Sequence, residues 1–400
     1  NLWSSIPALL LAFSVWIMWG VLIKYMKEFG FTFGMVDGLV AGTEEYIAAL
    51  REVNNLYYTL PAIAGLAGAT LRLPNSFLIS LGGGRNVIFV TTGLLLIPAI
   101  GTGIALSDIN TPYMFFASMA LLSGFGGGNF ASSMSNISFF FPKKVQGYSL
   151  GMNAGLGNLG VGIMQKVIPL VVTFSLFGGT AGSIATAKGA PFEGLQNAAW
   201  IWVPLITLAT LGAFFRMNNV STGTPSLPST IAGVTKTLYM VILGLLAAAV
   251  GAFLLIGIPW GDWGMKNSAM WVVLPTVVVL TIVLMKFVTP GEIKENLNKQ
   301  FSILSDKHNW IMTIIYTMTF GSFIGYSMVF PKLAQDIFVY SNPLNPEWAN
   351  PNAPNIMLWA FLGPVLGALV RPLGGVLSDK VNSGAKVTMW STIFQIIAAL

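Results

Sequence analysis

Apolar runs long enough to cross a bilayer recur along this 400-residue chain, and no other feature constrains its fold as tightly. They fall at roughly 5–24, 55–80, 87–106, 113–141, 146–176, 199–217, 237–259, 269–288, 309–330, 355–377 and 387 to the end, eleven in all. Hydrocarbon offers no water to the backbone, so runs of this kind must satisfy their own N–H and C=O groups as helices. Charge is correspondingly scarce: 8% of residues, against about 25% in soluble domains. The chain reads as an all-α polytopic membrane protein. It has no cysteine, which excludes disulfides, thiol chemistry and cysteine metal sites. Its one histidine, His308, stands beside Trp310 and reads as an interfacial residue. The chain opens on Asn1 without an initiator methionine and stops at Leu400 inside an apolar run, so it reads as a window on a longer protein, truncated after the eleventh span.

Basic residues set the orientation. Arg85, Lys143, Lys144, Arg216, Lys236, Lys286, Lys294, Lys299, Lys307, Lys380 and Lys386 lie at one set of span ends and loops; Lys24, Lys27, Arg51, Lys188, Lys266 and Lys332 lie at the other. Eleven against six puts the first set in the cytoplasm. The net charge of +6 is thus mainly topological and does not point to nucleic acid. All fourteen carboxylates divide between the two sides, with Glu28, Asp37, Glu44, Glu45, Glu52, Asp108, Glu193, Asp262, Asp336 and Glu347 outside. No span is expected to carry one in its interior.

The stretch from Gly124 to Gly162, GFGGGNFASSMSNISFFFPKKVQGYSLGMNAGLGNLGVG, reads as the end of one helix, a basic turn at Pro142-Lys143-Lys144, and a helix lined with glycine. Glycines 147, 151, 155, 157, 160 and 162 are expected to leave that helix a nearly bare face, along which a helix or a small ligand can approach the backbone. Gly155 to Gly160 also fits G-x-G-x-x-G, but inside an apolar helix rather than at a strand-to-helix turn, so dinucleotide binding is excluded. No P-loop is present.

Three basic residues remain: Arg72, Lys166 and Arg371. The two arginines each stand thirteen residues before a short cytoplasmic turn, in LRLPNSFLISLGGGRNV and VRPLGGVLSDKVNSGAKV, a repeat that suggests two bundles with helices in matching positions. Several residues inside a span, and without a carboxylate to pair with, such arginines either snorkel or attract an anion into the membrane. Arginine does not deprotonate on burial, and its planar fork of donors suits a planar oxyanion. Phe130, Tyr316 and Phe320 are candidates to clamp such an anion above and below, the last two being one helical turn apart. Asn158, on the glycine face, offers an amide, with a helix-to-helix contact as its alternative. Lys166 reads as a snorkelling residue near the outer surface.

These motifs resemble those of a known family. The GGGNFASSMSNISFFFPKKVQGYSLGMNAGLGNLGVG segment is similar to the nitrate signature region of the nitrate/nitrite porter family, and Gly374 to Lys380 resembles the G-x-L-x-D-R/K loop of the major facilitator superfamily, to which that family belongs. TFGSFIGYS and FLGPVLGALVRPLGGVLSD extend the likeness into the last third of the chain. The resemblance implies a major facilitator two-bundle fold: a six-helix bundle over 1–220, a linker over 221–305 with two extra spans, and the start of a second bundle over 306–400. It implies that Arg72 and Arg371 hold the anion, that Phe130, Tyr316 and Phe320 clamp it, that Asn158 belongs to the signature helix, and that Gly151, Gly155, Gly157 and Gly160 serve gating. The implied substrates are nitrate and nitrite. The protein would be a carrier rather than an enzyme, multi-pass in the bacterial inner membrane among lipid, acting as a monomer, with no cofactor, metal or nucleic acid.

Nitrate is the anion of a strong acid and cannot shed its charge, so it needs fixed positive charge in the membrane. An empty cavity would carry two positive charges and a loaded one a single charge. Occlusion should therefore cost more when empty, which favours exchange of nitrate for nitrite. The rival readings are proton-coupled nitrate symport, against which the lack of an intramembrane carboxylate argues, and a carrier or channel for another small monovalent anion.

Overall fold

The computed structural model describes residues 1–174, 194–224, 228–256, 269–342 and 348–399. Lys188, Glu193, Asp262, Lys266 and Glu347, the ends of the fifth and seventh apolar runs, and Leu400 lie outside them. The described residues form helices with short connections. In chain order these are α1 (Leu2–Ile17), α2 (Trp19–Glu28), α3 (Glu44–Asn75), α4 (Leu78–Gly82), α5 (Gly84–Gly93), α6 (Leu96–Leu106), α7 (Tyr113–Ser138) and α8 (Gln146–Val171). They continue as α9 (Asn197–Trp200), α10 (Trp202–Arg216), α11 (Thr230–Ile256), α12 (Ala269–Phe287), α13 (Gly291–Gln300), α14 (Lys307–Ala334), α15 (Leu362–Val381) and α16 (Gly384–Ala399).

Among the described residues, each of the eleven apolar runs is largely helical. Several are two helices in near-continuation: α1 runs into α2 through Met18, and α5 into α6 through Leu94 and Leu95. Among the described residues, eight helical stretches are long and apolar enough to cross a membrane, which makes this a multi-pass membrane protein. The runs outside that set are α3, α7 and α16. Helix α3 is 32 residues long but starts on Glu44 and Glu45, while α7 spends its length on Ser, Gly and Asn that neighbouring helices bury. Only sixteen residues of α16 are described.

Helix α1 is the hub. It contacts α8, α7 and α10, and its Phe13, Trp16 and Ile17 are almost wholly buried. Helix α3 packs along α7, and α15 packs along α8. Between helices in lipid there is little hydrophobic drive, so close backbone approach carries the association. Small residues permit it: a Cβ on Gly124 would stand 2.7 Å from the Ala67 carbonyl carbon, and one on Gly244 of α11 would stand 2.7 Å from Pro74 Cγ. Helix α11 therefore lies against α3, with α12 packed on both.

The basic turn falls where the sequence places it. Pro142 is extended, Lys143–Val145 form one 3-10 turn, and α8 starts at Gln146. The loop between α4 and α5 turns on Gly83, whose φ of +80° suits glycine, and the Arg85 backbone N–H donates to Asn219 Oδ1 at 2.8 Å.

Candidate functional site

Arg72 lies one turn from the inner end of α3, where α1, α7 and α14 converge. Gly68, one turn earlier, and Gly127 on α7 make room for the Trp16 ring beside α3; a Cβ on Gly127 would stand 2.8 Å from Trp16 Cε2. Trp16 is fixed in turn, its indole N–H donating to the Ala64 carbonyl at 2.6 Å. Arg72 Nε donates to the Gly127 carbonyl at 3.1 Å, and Nη1 donates to the Tyr316 hydroxyl at 3.1 Å. Nη2 is buried with no hydrogen-bond partner. The guanidinium is thus held at two of its nitrogens and has donors to spare at the third.

Aromatic rings enclose it. Arg72 Cζ is 4.5 Å from the Phe320 ring centroid, 5.0 Å from Phe130, 5.3 Å from Trp16 and 5.9 Å from Tyr316. Tyr316 and Phe320 stack at 4.9 Å and 6°, and Phe130 lies 5.3 Å from Phe320 at 26°. Arg371 of α15 comes to the same ring, its Cζ 5.5 Å from Phe320 and 5.4 Å from Phe323. Two arginines more than 290 positions apart in sequence therefore both approach one phenyl ring. Among the described residues neither forms an ion pair. Five of the six expected binding residues are together: Arg72, Arg371, Phe130, Tyr316 and Phe320.

Asn158 is the sixth. It is fully buried, neither its amide nitrogen nor its oxygen has a hydrogen-bond partner, and no hydrogen bond links it to either arginine. The α8 glycines also depart from expectation, because they do not form a single bare face. Gly151 and Gly155 receive α15, a Cβ on either standing 2.9 Å from the Arg371 carbonyl oxygen or 2.7 Å from that of Ala368. Gly157 and Gly160 receive α1, where a Cβ on Gly157 would stand 2.6 Å from Leu9 Cγ and one on Gly160 3.0 Å from Ser14 Oγ. The spacing of 147, 151, 155 and 162 follows one side of the helix; 157 and 160 belong to another. The glycines seat two neighbouring helices rather than line an open groove.

Trp16 and Phe323 were not singled out in the sequence. Phe323 had a signal, being three residues after Phe320 on the same helix. Trp16 had none, since only the fold brings α1 to α3. A second polar cluster was also missed. At the outer ends of α2, α3 and α14, Lys332 is wholly buried and Asp336 is part-buried in a network with Lys27, Asn54 and Tyr58. The four-residue spacing of Lys332 and Asp336 was visible, but not its partners. Lys166 is exposed, with Nζ 5.0 Å from the Phe361 ring. At the inner end, Asp379 accepts the backbone N–H groups of Gly147 at 2.9 Å and Tyr148 at 2.7 Å, capping the start of α8 from the end of α15.

No family model matches the chain. Among curated relatives, the nitrate/nitrite transporter NarU of Escherichia coli (strain K12) is 34% identical over 399 residues, covering 99% of this chain and 64% of the relative. NarU of Salmonella typhimurium is also 34% identical, covering 98% and 63%. The probable nitrate/nitrite antiporter NarK2 of Thermus thermophilus is 32% identical over 404 residues, covering 100% of this chain and 69% of the relative. The chain thus spans a little under two thirds of the length of the NarU proteins. Among solved structures, the inward-open xylose transporter XylE of E. coli overlays at a TM-score of 0.41 and 12% identity over 95% of each chain.

Proposed function

The chain belongs to the nitrate/nitrite porter family of the major facilitator superfamily, and from that premise we propose that it carries nitrate and nitrite across the bacterial inner membrane by alternating access. One observation supports the site: Arg72 and Arg371 both lie within 6 Å of the Phe320 ring centroid, Arg72 bonds the Tyr316 hydroxyl, and Arg72 Nη2 is buried and unpartnered. A buried donor without a partner is costly, and a planar oxyanion is the ligand that removes the cost. The Gly127 and Tyr316 bonds fix the plane of the Arg72 fork, so the anion meets donors already in position. Phe130, Tyr316 and Phe320 keep water from the anion and give it a flat surface.

Exchange follows from the charge. The empty site carries two guanidinium charges and no carboxylate; with one monovalent anion it carries a single net charge. Occluding the doubly charged form costs more, so reorientation proceeds loaded, nitrate one way and nitrite the other. The antiporter naming of the Thermus relative is consistent with this mode. Proton symport would need a titratable carboxylate near the anion. The carboxylates flanking α14, Asp306 and Asp336, are fourteen and sixteen residues from Phe320, roughly 21 and 24 Å along a helix, and Asp379 of α15 is eight residues from Arg371, roughly 12 Å, with its oxygens taken by the Gly147 and Tyr148 N–H groups.

In this reading residues 1–220 form one bundle, 221–305 a linker carrying α11 and α12 as extra spans, and 306–400 the start of the second bundle. The glycines at 151 and 155 let α15 and α8 slide at backbone distance as the bundles rock. The test is competition on purified protein: nitrate and nitrite should displace each other at one site, and Arg371→Gln should abolish binding of both. Unchanged nitrate affinity in a folded Arg371→Gln protein would end this assignment.

A further inference from the structure

The polar cluster at the outer ends of α2, α3 and α14 is arranged around one carboxylate. Asp336 accepts from Lys332 Nζ at 2.5 and 2.6 Å, from Tyr58 Oη at 2.7 Å, from Lys27 Nζ at 3.2 Å and from Asn54 Nδ2 at 3.4 Å. Three of those four donors, Lys27, Asn54 and Tyr58, come from α2 and α3, across the junction with α14. The charges sort themselves by element. Lys24 pairs with Glu28 on α2 at 2.8 Å, and Lys332 of α14 pairs with Asp336 in the π-helical turn, Gln335–Val339, that continues α14. Lys27 alone relies on the other side of the junction for its carboxylate, at 3.2 Å.

The donors repeat the chemistry of the central site. There a guanidinium, the Tyr316 hydroxyl and aromatic rings surround the place of the anion. Here an ammonium, the Tyr58 hydroxyl and the Asn54 amide converge on a carboxylate, with Lys27 Nζ 3.9 Å from the Tyr340 ring. A carboxylate presents two oxygens in a plane at the edge of a small anion, as nitrate and nitrite do, so donors placed for one are placed for the others.

We propose that Lys27, Tyr58 and Asn54 form an outer receptor for a small planar oxyanion, occupied in this structure by the carboxylate of Asp336. The proposal rests on the chain being a carrier of such anions. When the outer end opens, α14 withdraws Asp336 together with its own counter-ion Lys332, and α2 keeps Lys27 unneutralised beside a free hydroxyl and amide. That set, carrying one positive charge, captures a monovalent anion from outside. Closure returns Asp336 to the donors and expels the anion, so Asp336 is a tethered competitor for the receptor.

The test counts nitrate sites on the purified protein by titration calorimetry. Asp336→Ala should bind one more equivalent of nitrate per chain than the native protein, at an affinity that falls as sodium gluconate raises the ionic strength. Adding Tyr58→Phe should weaken that extra site by about tenfold or more and leave the central one unchanged. Asp336→Glu should bind as the native protein does. A folded Asp336→Ala protein with no extra equivalent overturns the proposal. If the native protein binds none and Asp336→Ala binds a single equivalent, the central assignment fails and the receptor stands. Should Asp336→Ala not fold, labelling decides. The chain has no cysteine, so Ser327→Cys, buried on α14 inward of Lys332, reports opening in an Arg371→Gln background that disables the central site. External nitrate should speed its labelling several-fold, and Lys27→Gln should remove that effect; labelling indifferent to nitrate overturns the proposal.

Discussion

Arg72→Lys separates charge from shape. Lysine keeps the positive charge but replaces a planar fork of five donors by one rotatable ammonium. In the structure Arg72 spends Nε on the Gly127 carbonyl and Nη1 on the Tyr316 hydroxyl, leaving Nη2 for the anion. A single ammonium reaching from the same Cα cannot serve all three directions. Either the anion loses a charge-assisted bond, or the Gly127 carbonyl and Tyr316 lose their donor and the site loses its order. One lost bond to a charged group costs about 1.5–3 kcal/mol, so nitrate affinity should fall roughly 10- to 150-fold. The assay is nitrate titration of the purified variant, with helical content and thermal unfolding confirming that the fold is native. The stacked pair Tyr316 and Phe320 belongs to α14 and should persist. A folded Arg72→Lys protein binding nitrate within about twofold of native would show that charge alone suffices, and would refute the argument from donor geometry.

Three further outcomes are expected. Tyr316→Phe removes the hydroxyl that Nη1 engages while leaving the ring stack, and should weaken nitrate binding about three- to tenfold in the same titration, the low end because Tyr316 is 39% exposed. Gly155→Val forces side-chain atoms against the Ala368 carbonyl and the Pro372 ring, and should destabilise by about 1–3 kcal/mol and slow exchange, whereas Gly212→Ala, where a Cβ meets nothing within 4 Å, should leave the melting temperature level or higher. Asp379→Asn weakens the carboxylate cap on Gly147 and Tyr148 and should cost roughly 0.3–2 kcal/mol in thermal unfolding, with nitrate affinity unchanged.

The helices were legible in the sequence because each apolar run must close its own backbone bonds in lipid, and among the described residues all eleven runs are largely helical. The breaks within them were less so. Met18, the Ser76-Phe77 step and the Leu94-Leu95 step interrupt runs whose hydropathy does not change. The central site was legible for a related reason. Arginine inside a span is costly enough to be conspicuous, and Arg72 and Arg371 stand at matching places in a repeat. Tyr316 and Phe320 share a face by simple spacing. What failed was the assumption that glycines on one helix serve one neighbour: Gly155 faces α15 and Gly157 faces α1, and only the packing of three helices decides that. The Lys332–Asp336 network escaped for the opposite reason. Charges near the end of a span read as solvated, and nothing local says that Lys332 is wholly buried against Asn54 and Tyr58.

The central claim is that a site with two fixed positive charges reorients only when loaded. Counterflow tests it most directly: proteoliposomes preloaded with nitrite, or with an impermeant anion, are presented with labelled external nitrate. The account predicts rapid uptake only into nitrite-loaded vesicles, one nitrate for each nitrite released, without response to an imposed pH gradient or membrane potential. Strong uptake into nitrite-free vesicles, driven by a pH gradient, would contradict it.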